Sequence, residues 1–541
     1  LNRRQFLAGS LTLAGLGALG CRGAQAPAPG LQGQRRDPSY QQGHRLRGRD
    51  LPSQPVRQER CQAVILGGGV SGLSAAWRWR HAGLDDFLLL ELEPSLGGNS
   101  RCLQYPVSKA PIGAHYLPVP NREARAVRRL LTEMDVLRSG PAGPELDGLQ
   151  LCHSPQERVH YMGHWYSGLL SEELLDSEAA EQLHHFQEHI HQWQQKRDAD
   201  GRKVFALPMA WSSPDPRYQA LDRISFADYA DQQGWTSPLL RWYLEYGCRD
   251  DFGGALDNCS AWAGLHYFAA RDGGGLGDPG DILVWPEGNH RLVEFLAGRA
   301  RNRCRAGCLV VSVRPTDRGV TVDYLEVATQ QRVRVSAEVA VYCLPTFTRP
   351  YLIEGEKPRE SFVYPPWVTA NLCLSRTPED SQGAGMVAWD NVLYGSPSLG
   401  YVVATHQEMA FDPLRPTVWT WYRPFVKEDP KSQREKLLQA DWGEWSQTVL
   451  SDLELAHPDI RQVCHRLDIT VLGHGMIRPS VGFLSGDQIA TARQPRHRLF
   501  FGHGDLSGMS LFEESQYRGV LAAEAALAVL GSPPQTSFLE T

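Results

Sequence analysis

The apolar positions of this chain change rhythm several times between its two ends. Ala63-Val-Ile-Leu66 is a short continuous apolar run that reaches Gly67-Gly68-Gly69 and gives way to a small-residue helix ending near His81. A second apolar run, Phe87–Leu92, follows. From Asn121 to Gly274 a helical period prevails, with Arg122–Met134, Glu172–Gln195 and Phe226–Gln233 as expected helices. Another helix is expected near Leu292–Arg299. Alternation returns in Cys308–Val313, Val320–Val322 and Arg332–Ser336, and Val339–Pro345 reads as a buried strand stopped by proline. Strand-like stretches at Trp367, Tyr401–Ala404 and Thr417–Tyr422 precede an expected helix around Gln433–Leu455. Arg498–Asp505 is a strand opening into a loop. The amphipathic Phe512–Leu530 segment closes the chain, with Gly519, Ala522 and Ala523 on its packing side.

Strands of one character thus occur at the start, middle and end, with different material between them. That pattern predicts two interleaved domains: a nucleotide-binding domain from 60–120, 281–345 and 466–541, and a substrate domain from 121–280, mainly helical, and 346–465. At 541 residues and 42% hydrophobic, the chain is long enough for both.

Ahead of them, Asn2-Arg3-Arg4-Gln-Phe6-Leu7 and the apolar run Leu7–Gly20 form a twin-arginine signal over 1–21. Ala18-Leu19-Gly20-Cys21 resembles a lipoprotein cleavage box, which leaves lipidation of Cys21 and simple cleavage both open. Residues 22–59 have almost no apolar periodicity and are expected to be a flexible tether. The expected location is outside the cytoplasmic membrane, periplasmic or lipid-anchored, with the twin-arginine translocation machinery as a partner. A net charge of −6 gives no reason to expect nucleic acid. Cysteine spacings such as Cys304-x-x-x-Cys308 lack a matching pair, so no metal is expected.

The chemistry starts at Gly67-x-Gly69-Val70-Ser71-Gly72. Gly67 permits a tight turn, Gly69 admits a pyrophosphate, and Gly72 lets the helix lie against the strand. The free amides of the helix start at Val70 and Ser71 suit the phosphates. Glu91, at the end of the second strand, is placed to accept ribose hydroxyls. Gly97-Gly98 and Arg101 form a further loop free to approach a ligand, and Gly113-Ala-His115-Tyr116 another.

With these motifs, the chain resembles the flavin-dependent amine oxidase and phytoene desaturase superfamily. Gly502-x-Gly504-Asp505 followed by Phe512-Glu513 and Arg518-Gly519 is similar to that family's closing flavin motif, and Val310 to its strand near adenine. The resemblance implies an α/β fold: a glutathione-reductase-like FAD-binding Rossmann domain interleaved with an α+β substrate domain. It implies non-covalent FAD, since no Ser-Gly-Gly-Cys-like segment is present, and a small-molecule substrate. Asp505 is then expected at the ribityl–pyrophosphate region. The arginine of the family's Gly-Gly-Arg is displaced here to Arg101, and Ala370-Asn371-Leu372 lacks the lysine that many relatives hold near the flavin; Lys109 is the substitute candidate.

His115, His474 and Lys109 are therefore the catalytic candidates. Asp250 and Asp251 are read as a solvent-facing charge pair at a helix end, with attraction of a cationic amine as the sharper alternative. The expected activity is oxidation of an amine, including polyamines, by hydride transfer to flavin. The alternatives are a desaturase or dehydrogenase of an apolar isoprenoid-like or lipid substrate, and a flavin-fold binding protein with little turnover.

Overall fold

Five parallel strands form the centre of the first domain, in the order Cys304–Arg305, Phe87–Leu90, Ala63–Leu66, Val339–Tyr342, Leu499–Phe501. The computed structural model describes residues 30–48, 51–141, 143–382, 386–408 and 412–540. The twin-arginine segment, Cys21 and tether residues 22–29 lie outside the described residues. Strands Ala63–Leu66, Phe87–Leu90 and Val339–Tyr342 are buried at every position, which is why their runs are continuously apolar rather than alternating. A four-stranded sheet of Arg57–Arg60, Gln331–Ala337, Gly319–Glu326 and Cys308–Thr316 completes this domain. Arg314, Arg332 and Arg334 all converge there on the fully buried Asp323.

The order of the parallel strands positions the site. Val339–Tyr342 pairs with Ala63–Leu66 on one side and with Leu499–Phe501 on the other. The turns that leave these strands, at Gly67, at Leu344-Pro345 and at Gly502–Asp505, therefore stand side by side at one carboxyl edge. That edge is where an open α/β sheet places its ligand. Helices Val70–His81 and Phe512–Val529 cross so closely that a Cβ on Gly519 would lie 2.1 Å from the Ser71 carbonyl oxygen.

The second domain is built on a seven-stranded mixed sheet, with helices packed against it and alongside. Its strand Cys464–Leu472 lies past residue 465, so this domain runs further than the sequence boundary suggests. The 121–280 segment is not purely helical: Glu157–Tyr161 and His164–Ser167 join the sheet, the former paired with Asp390–Leu393. The charged lettering Glu-Arg-Val-His-Tyr hid that strand, because Arg158 is buried only by virtue of its bonds to Asn391 and Asp380. The helix expected over 433–455 is two helices, Pro430–Gln439 and Trp442–Leu453, because Asp441 starts the second with a capping box to Glu444.

Residues 30–48 are not a free tether. Gln32 and Arg35 bridge in parallel to the edge strand Cys464–Leu472, and Tyr40–His44 forms a short helix. Composition missed this because the segment is held by backbone bonds along an open sheet edge rather than by apolar burial. Among the described residues, no helix is long and apolar enough to cross a membrane.

Candidate active site

The turn after Leu66 has the geometry its glycines require. Gly67 sits at φ +101°, and a Cβ on Gly72 would lie 1.9 Å from the Gly67 carbonyl oxygen. The Val70–His81 helix starts with Gly69 as N-cap and no side-chain cap, so the first amides, Val70 and Ser71 among them, take no side-chain partner there. The Glu91 carboxylate accepts from the Gly68 amide at 2.6 Å and from the Glu93 amide at 2.8 Å. Burial pushes its carboxyl above the ordinary value, against the pull of those two amides. Gly98 meets Gly69 at close range: a Cβ on Gly98 would be 3.3 Å from the Gly69 Cα. Arg101 does not reach forward; it bonds back to the Gly98 carbonyl and to Glu93. Val310 is buried in a strand seated beside Glu91 by the bond from the Cys308 amide to the Glu91 carbonyl.

The closing motif approaches from the other side. Asp505 accepts from the Thr346 amide at 2.8 Å and the Tyr364 hydroxyl at 2.7 Å, with His503 Nδ1 at 3.1 Å. Burial opposes its ionisation, but His503, Thr346 and Tyr364 more than offset this and hold the carboxyl below its ordinary value. Asp505 therefore locks the Gly504 turn to the Pro345 turn. Phe512 begins the last helix, which also starts without a side-chain cap.

A cavity of about 870 Å³, its mouth included, lies between the Gly98–Asn99 loop and the start of the last helix. Asn99, next to Gly98, lines it together with Ser510, Leu511, Phe512 and Glu513 of the closing motif. Its aromatic walls are His115, Tyr116, Trp367 and Tyr422, and its charged ones Asp250, Asp251, Arg271 and Glu513. His115 packs on Tyr422 with ring centroids 4.7 Å apart. Burial lowers the His115 pKa to about 3, so the ring is neutral at physiological pH, and its Nδ1 is buried without a partner among the described residues.

The acidic pair corrects the solvent-facing reading. Asp250 and Asp251 end the Pro238–Phe252 helix, but its last turn points inward, and Asp251 is buried and bonded to Arg271 at 2.6 Å. The Tyr116 hydroxyl reaches Asp250 at 3.3 Å. Burial first, then the Asp251 charge, push the Asp250 carboxyl up to about 7. Burial pushes Glu513 to about 7 as well.

Two candidate residues are not brought into the cavity. Lys109 sits on a short hairpin strand, a third exposed, facing Glu287 at 3.8 Å and Glu294 at 3.6 Å. It is a solvated ion-pairing lysine. His474 stacks on Phe347 at 4.1 Å, behind the wall made by Gly475 and Met476. Burial, then the charges of Arg434, Arg47 and His44, lower its pKa to about 3. Sequence reasoning gave no role to Trp367, Tyr422 or Arg271. Only the triple glycine just beyond Arg271, with positive φ at Gly273, Gly274 and Gly275, marks that segment as an unusual turn.

These residues fit an extended dinucleotide. Two helices start without side-chain caps after the glycine turns, a carboxylate faces the first glycine turn, and buried polar atoms (Thr346 Oγ1 beside Asp505, and Asn289 Oδ1, His115 Nδ1 and Glu513 Oε1 of cavity residues) lack partners among the described residues.

The family model for NAD(P)-binding Rossmann-like domains matches residues 65–134. The chain is 38% identical over 61 residues to a Baeyer-Villiger monooxygenase of Pseudomonas aeruginosa and 34% identical over 73 residues to polyamine oxidase 7 of Oryza sativa subsp. japonica. Those stretches are 11% and 14% of this chain and span only 12% and 15% of the relatives' own lengths. Likeness over most of the chain is structural. Putrescine oxidase bound to putrescine matches with a TM-score of 0.61 at 14% identity, over 87% of this chain and 100% of that one. Cyclohexylamine oxidase from Brevibacterium oxydans matches with 0.61 at 15% identity, over 87% and 99%. This chain has their fold. It is α/β, a Rossmann-type dinucleotide-binding domain interleaved with an α+β domain.

Proposed function

We propose that this protein is an FAD-dependent oxidoreductase that oxidises a cationic amine, with diamines and polyamines as the best-fitting class. The observation that carries this reading is the enclosed Asp250–Asp251 pair, which lines the same cavity as the start of the closing helix. The names of the similar solved structures, putrescine oxidase and cyclohexylamine oxidase, support it.

Gly67, Gly69, Val70, Ser71 and Gly72 would hold the pyrophosphate and Glu91 the ribose, with Gly97 and Gly98 beside them. The Gly504-Asp505 turn and Phe512 would stand at the flavin end. Bound there without a covalent link, the flavin supplies a two-electron acceptor for a substrate C–H bond. The chain supplies the rest. Asp250, once ionised, draws an ammonium group into the cavity, while Asp251 is held by Arg271. Tyr116, Trp367 and Tyr422 offer aromatic faces to a cation. His115 is too weakly basic to carry a proton at neutral pH, so it serves as a cavity wall packed on Tyr422 rather than as general base.

An apolar isoprenoid-like substrate requires a tunnel without acidic walls, and Asp250, Asp251 and Glu513 oppose that alternative. Anaerobic mixing of the purified protein with a diamine, and separately with a polyene, tests the reading through its visible flavin absorbance. Bleaching by the diamine is expected. Bleaching by the polyene alone would mean a desaturase, and bleaching by neither a binding protein.

Export in folded form is the companion proposal, resting on Arg3-Arg4 and the apolar run up to Cys21. Cell fractionation tests it: periplasmic or membrane recovery is expected, with cytoplasmic retention when both arginines are changed to lysine. Wild-type protein confined to the cytoplasm would contradict it.

A further inference from the structure

Residues 30–48 bridge the two domains. The strap is fixed first to the substrate domain: the Gln32 amide donates to the His465 carbonyl at 3.0 Å and the Arg36 amide to the Ile469 carbonyl at 2.7 Å. The Leu467 and Ile469 amides donate back to Gln32 and Gln34, and the Val471 amide donates to Asp37 Oδ1 at 3.0 Å. Then the chain crosses over. The Ser39 amide donates to Glu93 Oε1 at 2.7 Å. Glu93 belongs to the opposite domain; its own amide holds Glu91, and its carboxylate takes Arg101, which is tied to Gly98.

Beyond this anchor the strap continues as the short helix Tyr40–His44. Leu46 packs against the large core cluster, and the Arg47 charge is felt at His474. His474 stacks on Phe347, beside Tyr364, whose hydroxyl bonds Asp505. The strap thus ties the edge strand of the substrate domain to Glu93, whose own amide holds Glu91.

We propose that residues 30–48 are a clasp that retains the bound dinucleotide, with Ser39–Glu93 as its latch. This rests on the FAD reading above. The latch is one amide on one carboxylate, so dissociation of the cofactor requires the strap to leave Glu93.

The test is the rate of flavin release, followed by fluorescence after dilution of the holoprotein. Ser39 has φ −70°, within the range proline adopts, so Ser39→Pro removes the donor at a compatible φ. Loss of a hydrogen bond to a charged group is expected to speed release roughly tenfold. Ser39→Ala keeps the amide and is expected to release at the wild-type rate. Equal rates in all three proteins would overturn the clasp while leaving the FAD reading intact. Wild-type protein that binds no flavin would overturn both. A second readout needs no variant: FAD added to flavin-stripped wild-type protein is expected to protect Arg35, Arg36, Arg45 and Arg47 from trypsin. Cleavage there at the same rate with and without FAD would also overturn the clasp.

Discussion

Arg271 Nη2 donates to Asp251 Oδ2 at 2.6 Å, while Asp250, the next residue, takes only the Tyr116 hydroxyl among the described residues. One carboxylate of the pair is neutralised by the protein and the other is left facing the cavity. The charge that selects a cation is therefore assigned to Asp250.

Asp250→Asn should raise KM for a diamine by about 30-fold, since removing one partner of a buried charge pair costs on the order of 2 kcal/mol. kcat should change much less. Steady-state kinetics checks this; an unchanged KM would place the amine elsewhere.

The same residue predicts a pH profile. With its carboxyl pushed up to about 7, Asp250 is protonated in mildly acidic solution and charged above neutrality. Amine binding should therefore tighten as pH rises through about 7, until the amine itself loses its proton, and Asp250→Asn should flatten that rise. His115 should add no inflection near its ordinary value, because burial holds it near 3.

Stability should move the opposite way. Folded-state values for Asp250 and Glu513 are raised above the unfolded ones, so their contribution is fully present below about pH 4 and is lost as pH climbs to about 7. At pH 8, Glu513→Gln should stabilise the flavin-free protein by on the order of 1 kcal/mol. Denaturant titrations at pH 5 and pH 8 measure the difference.

Gly519→Ala should cost about 3 kcal/mol, since its new methyl would be driven into the Ser71 carbonyl at the crossing of the two site helices. Thermal unfolding reports the loss. Lys109→Met should leave turnover unchanged, because Lys109 lies outside the cavity among glutamates.

Much of the nucleotide half was legible in the sequence. Continuous apolar strands, glycines needed for close approach, and an acid ending the second strand are local signals, and Ala63–Leu66, Val70–His81 and Phe512–Val529 formed close to where they were expected. The substrate half was less legible. Whether Asp250 faced water or a cavity depended on the inward aim of one helix end, set by Arg271 and Tyr116 from elsewhere in the chain. Lys109 and His474 had suitable chemistry but were kept out of the cavity by tertiary packing that no spacing reveals. The 30–48 strap was hidden for a related reason: its order comes from backbone partners more than 400 residues away.

The central claim is that the Gly67–Gly72 and Gly502–Asp505 turns grip one FAD between them. The molar ratio of FAD to chain, measured on purified wild type, Glu91→Ala and Asp505→Asn, tests it most directly. The account predicts one FAD per wild-type chain and a sharp fall in both variants, each losing on the order of 2 kcal/mol of binding. Wild-type protein without FAD, or full occupancy in either variant, would contradict it.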